Sequence, residues 1–300
     1  MLSVLALWAI ATLTFILMHS IPGDPFTDPK LPEHIHQLLL HKYGLDKPLY
    51  EQYLIYLNNL LHGDLGDSLR FREQSVNKMI AQGFPVSALL GVEALAWSVS
   101  LGLLLGLVAA LNRNRVLDMV TMAIAIIAIS VPNFVIAGAL QWLLGVKLEV
   151  LPIARWGGIE YQILPAVSLG FGVVGGMARF MRTSVLDVIT QDYIRTAKSK
   201  GLSAFETVWR HVIRNSLLPI VTILGPLIAG ITTGTFVVEQ IFGIPGLGKY
   251  FVNSIYNRDY PLIMGTTLFY AVILIFMNFV VDVLYGVIDP RIRVVGGKEG

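Results

Sequence analysis

Cysteine is absent from the 300 residues of this chain. Its absence excludes disulfides, zinc–thiolate sites, iron–sulfur clusters and thiol catalysis. Charge is also scarce, because 14% of the residues are Asp, Glu, Lys or Arg, against about 25% in soluble proteins. The net charge of +2 argues against a nucleic-acid partner, which requires a clustered basic face. With 55% hydrophobic residues and a mean hydropathy of +0.67, the composition predicts a polytopic membrane protein.

Long runs with little or no charge predict an all-α protein with six membrane-spanning helices. A helix needs about 20 apolar residues to cross the hydrocarbon core, and it pairs its own backbone groups there. The predicted spans are Met1–Met18, Val86–Leu111, Met119–Val146, Leu164–Met181, Pro219–Val238 and Leu262–Val281. A signal peptide is the alternative for the first run, but a cationic start and a small-residue cleavage site are missing.

The basic residues predict the orientation of these spans. The short loop after the second span, the loop after the fourth and the C-terminal tail hold twelve Lys and Arg, whereas the opposite short loops hold four. This bias predicts that both termini are cytoplasmic. The predicted domains are a first span, an extracytoplasmic segment of short helices, and a core of five spans with a long cytoplasmic loop: residues 1–19, 20–85, 86–300 and, within the core, 183–218. In the outer segment, apolar spacing over residues 48–57 predicts an amphipathic helix.

The loop after the fourth span reads as a helix, a corner and a second helix. Asp192 is the predicted N-cap of the first helix, and Gly201 the left-handed residue that ends it. Ser203 and Glu206 have the spacing of a capping box, which predicts the start of the second helix. Pro219 suits the first turn of the fifth span. We therefore expect a short amphipathic helix that is separate from the span after it.

The second helix of this loop repeats apolar residues at spacings of three and four, namely Phe205, Val208, Trp209 and Val212. A helix this short is marginal in water on its own. It therefore lies flat on the membrane or inserts into a groove of another protein. The residues alone favour both alternatives equally.

The same loop resembles the so-called EAA loop of ATP-binding-cassette (ABC) importer permeases, through Ala197, Gly201 and Leu218–Pro219. Arg195–Ala197 stands where the Glu-Ala-Ala of that motif is found, and Gly201 and Pro219 are farther apart than in sugar permeases. Both departures are similar to the oligopeptide/dipeptide/nickel branch.

Other stretches resemble that branch in the same order along nearly the whole chain. They are Gly44–Leu49, Gly63–Gly66, Ser130–Pro132, Phe242–Gly248, Asn257–Pro261, Asp282–Tyr285 and Asp289–Arg291. The resemblance is strongest to the first permease subunit of an oligopeptide importer. Relatives usually begin with a short basic stretch, whereas Met1 opens directly on apolar residues, which indicates a start assigned late or a trimmed N-terminus.

The resemblance implies the type I ABC importer fold and a coupling helix that docks an ATPase. The docking and coupling residues that it implies are Ala197, Gly201, Leu202, Ser203, Phe205, Glu206, Val208 and Trp209. It further implies a second related permease subunit as heterodimer partner, two ATP-binding ATPase subunits and an extracytoplasmic peptide-binding protein. This chain would be a lipid-embedded transport subunit of a bacterial or archaeal cytoplasmic membrane, not an enzyme. ATP and Mg would be bound by the ATPases, with no cofactor on this chain.

Three polar residues and a proline within the predicted spans are the candidates for a translocation path or gate. They are Glu93, Asn133, Asp282 and Pro132. Ionisable residues at membrane depth suggest function by default, and helix–helix hydrogen bonding is the alternative for both acids. Pro132 should bend the third span, because a proline removes a backbone hydrogen bond.

Three further readings compete with a peptide permease. An integral-membrane enzyme would need a catalytic cluster, and the sequence has no HExxH or GxSxG motif. A secondary transporter usually carries internal repeats, and none is visible. Nickel and glutathione are alternative cargoes within the same family. A metal site is not predicted, because on one helix His36 points away from the face shared by His34 and His41.

Overall fold

A computed structural model describes residues 2–21, 23, 25–26, 32–71, 73–233 and 236–288, except the side chains of 229, 232, 233, 282 and 284–288. The helices in these ranges are α1 (Leu2–Ser20), α2 (Glu33–Lys42), α3 (Leu49–Leu61), α4 (Val76–Leu111), α5 (Val116–Ser130), α6 (Asn133–Leu140), α7 (Ile159–Ile189), α8 (Asp192–Ser199), α9 (Ala204–Thr207), α10 (Arg214–Thr233), α11 (Phe236–Phe242), α12 (Leu247–Asn257) and α13 (Tyr260–Ile288). Two π-helical segments, Gln141–Lys147 and Val208–Ile213, continue α6 and α9. The predicted basic tail and Asp289–Arg291 lie outside the described residues.

Five described helical segments are long and apolar enough to cross a membrane, and a bent pair of helices adds a sixth. This confirms the predicted all-α architecture with six spans. Two helices are longer than the apolar runs that predicted them. Helix α4 begins at Val76 rather than Val86, and α7 continues to Ile189 beyond Met181. A charged residue ends an apolar run without ending the helix. The amphipathic helix predicted in the outer segment is α3.

The bent pair interrupts the third span where Pro132 was predicted to bend it. α5 ends at Ser130, Val131 is extended (φ −92°, ψ 122°), and α6 begins at Asn133. A residue before proline avoids the helical region, which explains why the chain leaves the helix at Val131. The two halves differ in direction by 101°, so the span is broken or re-entrant rather than kinked.

The chain divides into two compact units. The first combines Met1–Ser87 with Pro245–Ile275, and the second combines Ala88–Ile244 with Phe276–Gly300. The core of the first unit contains the buried side chains of Phe15, Phe26, Leu69, Tyr260 and Met264.

A buried carboxylate, Asp259, joins two distant segments of the first unit. It accepts hydrogen bonds from the Ser68 hydroxyl and from the backbone N–H of Leu69 (3.1 Å). It also accepts from the N–H of Leu262 (3.4 Å), three residues on, which makes it the N-cap of α13. The preceding Arg258 adopts a left-handed backbone (φ 55°) that turns the chain into this cap. The stretch Asn257–Pro261 therefore has a structural role.

Helix α7 runs through the second unit and approaches α4 and α5 very closely. A Cβ added at Gly102 of α4 would lie 2.8 Å from the Val174 carbonyl oxygen, and one at Gly106 would collide with the Ala178 carbonyl. One at Gly175 of α7 would collide with the Ala125 carbonyl of α5. Small residues allow such close backbone contact between helices in membranes.

An ion pair ties the first turn of α5 to α7. The Arg182 guanidinium donates from Nε to Oδ1 of Asp118 (2.6 Å) and from one terminal nitrogen to Oδ2 (2.8 Å). The N–H of Asn114 also donates to Oδ2 (3.0 Å), and the Asp118 side chain is 4% exposed. Residues 118 and 182 are distant in sequence, and no local pattern predicts their pairing.

We predict that Arg182→Ala destabilises the protein by roughly 3–5 kcal/mol, because it leaves the buried Asp118 carboxylate unpaired. Thermal unfolding of the purified protein measures the loss. Arg179→Ala, on the exposed side of the same helix, is the matched control and should change stability by less than about 0.5 kcal/mol. Equal shifts for the two variants would contradict the role of the pair.

Candidate functional site

The first helix of the loop between α7 and α10, α8, begins one residue earlier than predicted. The N-cap of α8 is Gln191, with an extended backbone (φ −72°, ψ 149°) and no side-chain capping bond. The prediction that Asp192 is the N-cap is therefore wrong. Asp192 lies in the first turn instead, where its charge faces the positive end of the helix dipole. The first turn favours a carboxylate as the cap does, which explains the error of one position.

Gly201 ends α8 as predicted, in a Schellman motif. Its φ is +83°. Its N–H donates to the Lys198 carbonyl (3.0 Å), and the N–H of Leu202 donates to the Ala197 carbonyl (3.3 Å). These two bonds satisfy carbonyls that a helix end otherwise leaves free. The corner is thus built by the backbone, and Gly201 is its left-handed residue.

The capping box predicted after this corner is also present. The N–H of Glu206 donates to the Ser203 hydroxyl (3.2 Å), and the N–H of Ser203 donates to the Glu206 carboxylate (3.3 Å). Two backbone donors at the start of α9 are satisfied in this way. The helix that follows therefore has a defined first residue, Ala204.

The second helix does not end before the membrane span. α9, its π-helical continuation and α10 follow one another without a break from Ala204 to Thr233, and Pro219 lies inside α10. The prediction that Pro219 begins a separate span is wrong. Buried Val212, Ser216 and Ile220 recur every four residues across the junction, so packing against α7 keeps the chain helical. One contact is the hydrogen bond from the Ser184 hydroxyl to the Ser216 carbonyl (2.8 Å).

The loop has one buried and one exposed apolar face. Ile194 and Val212 pack into the same core as Met181 of α7. On the other side Phe205 is 76% and Trp209 is 65% exposed. Their rings are nearly parallel, with centroids 6.5 Å apart. Of the other predicted docking residues, Val208 is partly buried. The exposed face is therefore an aromatic pair.

The residues predicted for the path remain hypotheses. Glu93 lies in α4, and its Oε2 is buried without a hydrogen-bond partner among the described atoms. Pro132 is the N-cap of α6 and Asn133 its first residue, and both are exposed. Asp282 lies in α13, but its side chain is outside the described part. Within the described residues, neither a hydrogen bond nor an ion pair joins Glu93 to the break at Pro132.

A cavity of about 420 Å³ in the second unit was not predicted. Arg179, Thr183 and Asp187 line it along one face of α7, together with Ile129 and Pro219 among others. Glu93, Pro132 and Asn133 are not among its lining residues. The sequence does contain a signal for this cavity, because Arg179, Thr183 and Asp187 are spaced four residues apart. The predicted end of the span at Met181 separates Arg179 from the other two and hides this spacing.

The sequence from α4 to the end of α13 identifies the family. Residues 102–294 match the family of binding-protein-dependent transport system inner membrane components. This match includes the bent pair, α7 and the loop around Gly201. The chain belongs to this family. It is accordingly a multi-pass membrane protein and a transport component, as the resemblance implied.

Curated relatives in this family match along nearly the whole chain. The chain is 49% identical over 285 residues to the dipeptide transport system permease protein DppB of Bacillus subtilis (strain 168). The aligned region covers 95% of this chain and 92% of that protein. It is 43% identical over 290 residues to the oligopeptide transport system permease protein OppB of Haemophilus influenzae, covering 96% and 95%. The predicted resemblance to the oligopeptide and dipeptide branch of ABC importer permeases is confirmed.

Solved structures support the fold alone. An inward-facing structure of the MetNI methionine ABC transporter is similar, with a TM-score of 0.59 and 17% identity, over 70% of this chain and 96% of that chain. An amino acid ABC transporter is similar with a TM-score of 0.50. The permease architecture is therefore retained where little sequence identity remains.

We predict that Gly201→Val lowers uptake by this transport component at normal membrane abundance. Apart from the adjoining residues, no atom of the described chain lies within 4 Å of an added Cβ, so the effect would come from the left-handed backbone, which costs a valine about 1–2 kcal/mol. Gly201→Asn is the control, because asparagine tolerates this conformation. Uptake and membrane abundance are measured together, and equal uptake by the two variants would contradict a functional corner.

Proposed function

We propose that this chain is the permease subunit of an ABC importer for oligopeptides or dipeptides. It forms half of the translocation path and connects that path to an ATPase through the helix that begins at Ala204. The observation that carries the ATPase connection is the exposed Phe205–Trp209 pair on this capped helix. Large exposed aromatic residues are typical of the centre of a protein–protein interface.

The cargo is inferred from the relatives. The proteins that match the chain over nearly its full length are named as dipeptide and oligopeptide permeases. Peptides carry both charges and polar backbone groups, and the cavity on α7 offers the matching Arg179, Thr183 and Asp187. We include this cavity in the proposed path. Nickel and glutathione are the alternative cargoes, and competition with labelled peptide would distinguish them.

The proposed complex contains a second related permease, two ATPases and an extracytoplasmic peptide-binding protein. In it, ATP and Mg are bound by the ATPases. Closure of the ATPases moves the helix that begins at Ala204. This movement is transmitted to α7 through the shared core of Ile194, Val212 and Met181. The path then opens towards the binding protein. The complex lies in a bacterial or archaeal cytoplasmic membrane with both termini of this chain inside, in agreement with the bias of basic residues.

We predict that Phe205→Ala combined with Trp209→Ala lowers peptide uptake at least tenfold and reduces the amount of ATPase that copurifies with the permease. Truncating a hot-spot residue costs about 2 kcal/mol or more, which is roughly a factor of 30 in affinity for each residue. The thermal midpoint of the permease should stay unchanged, because both side chains are exposed. Uptake into proteoliposomes and pull-down of the ATPase provide the two measurements.

The matched control is Trp142→Ala, which removes a 58% exposed tryptophan from another helix. It should retain both uptake and the ATPase. If the double variant kept a full complement of ATPase, the docking role would be wrong. Peptide uptake by the isolated wild-type chain, driven by an ion gradient without ATP, would instead identify a secondary transporter.

A further inference from the structure

The first unit contains a second cavity, of about 430 Å³. Its walls come from the last turns of α1, from the end of α2, from α3, from the loops that follow α2 and α3, and from the start of α13. The volume falls in the range of small-molecule sites, which is about 300–1,000 Å³. Every described lining residue belongs to the first unit, most of which is the segment predicted to be extracytoplasmic.

Hydrogen bonds hold the walls of this cavity in place. The Gln52 amide donates to the carbonyls of Leu45 (3.3 Å) and Lys47 (2.8 Å), and its oxygen contacts the ring of His19 (3.0 Å). Beside the lining residues Leu69 and Tyr260, Asp259 joins the Ser68 loop to α13. The cavity is therefore largely preformed, which lowers the entropic cost of binding a ligand.

Tyr56 lines the cavity and carries a buried hydroxyl that nothing satisfies. Its Oη has no hydrogen-bond partner among the described residues. Burial raises the pKa of Tyr56 to about 12, so the hydroxyl remains a proton donor at neutral pH. An unsatisfied buried hydroxyl costs about 1–3 kcal/mol. A ligand oxygen that reached this hydroxyl by displacing the side chains that cover it would remove the penalty.

Charges of both signs surround the cavity without being paired to each other. Lys42, Lys47, Asp64 and Asp67 line it and are exposed, and none has an ion-pair partner within the described parts of the chain. The His41 ring is already hydrogen-bonded through Nδ1 to Oδ2 of Asp46 (2.8 Å), and this bond lowers the pKa of the Asp46 carboxyl.

Aromatic side chains complete the lining, with Phe15 and Tyr56 stacked at 5.8 Å and Tyr260 nearby. A ligand that matches this set has an ammonium group, an anionic end, polar oxygens between them and some apolar surface.

We propose that this cavity binds a short peptide, whose backbone or carboxylate oxygen accepts the hydrogen bond from Tyr56. The ammonium group lies towards Asp64 or Asp67 and the carboxylate towards Lys42 or Lys47. Other zwitterions carry the same charged groups, and the choice of a peptide among them rests on the proposed function. An ethanolamine lipid headgroup has similar charges, but its acyl chains would need an apolar exit, whereas the rim carries these four charges. The cavity is thus an outer holding site for cargo.

The test measures equilibrium binding of a radiolabelled dipeptide, alanyl-phenylalanine, to the assembled transporter without its binding protein and without ATP. Nanodiscs of phosphatidylglycerol exclude an ammonium-bearing lipid. Tyr56→Phe should weaken binding about tenfold, the equivalent of one hydrogen bond. Its thermal midpoint should be unchanged or higher, because the change removes an unsatisfied hydroxyl. Tyr50→Phe, with an exposed hydroxyl on the same helix, is the matched control and should bind as the wild type does.

A second variant tests the charges. Asp64→Asn combined with Asp67→Asn should weaken binding of the free dipeptide at least fivefold. It should not weaken binding of the N-acetylated dipeptide, which lacks the ammonium group. Equal losses for both peptides would overturn the assigned orientation.

The outcomes separate this proposal from the proposed function. If the complete transporter imports the dipeptide but Tyr56→Phe binds it as tightly as the wild type, the holding site is wrong and the peptide importer stands. If the complete transporter imports no peptide, the proposed function fails. The binding measurement, which needs no ATP, still decides what the cavity holds: an unchanged affinity in both variants overturns the site.

Discussion

Close backbone contact of α7 with α4 and α5 is the constraint on which the second unit depends. At Gly106 and Gly175 there is no room for even one methyl group between the helices. In lipid the helices gain little from excluding water, so close packing has to supply the attraction between them. The middle of α7 is fixed by these contacts, and its C-terminal third then carries Arg182 to Asp118 and leads into the loop.

The packing of α7 sets the position of the loop that follows it, and hydrogen bonds within the loop define where its helices end and begin. The Schellman corner at Gly201 and the capping box of Ser203 and Glu206 satisfy the free backbone groups within the loop. Ile194 and Val212 anchor it to the core around α7. The aromatic pair that remains exposed is therefore held on a helix with a capped start and an anchored buried face.

Local features were predictable residue by residue. The left-handed Gly201, the capping box and the break at Pro132 each depend on a few adjacent residues, and all three are present. The two errors concern how far a helix extends. Asp192 is one position inside its helix, and Pro219 lies within α10, because contacts of Ser216 and Ile220 with distant residues keep the chain helical across a junction that the local sequence would end.

The sequence by itself determined the number of spans, the helical class, the family and the corner and cap of the loop between α7 and α10, because hydropathy, capping and glycine turns act between neighbours. Only the tertiary structure decided which distant side chains meet. It paired Asp118 with Arg182, placed Asp259 against Ser68, and left the Tyr56 hydroxyl unsatisfied beside a cavity. No periodicity links such residues, since their contact depends on how whole helices pack and not on their spacing along the chain.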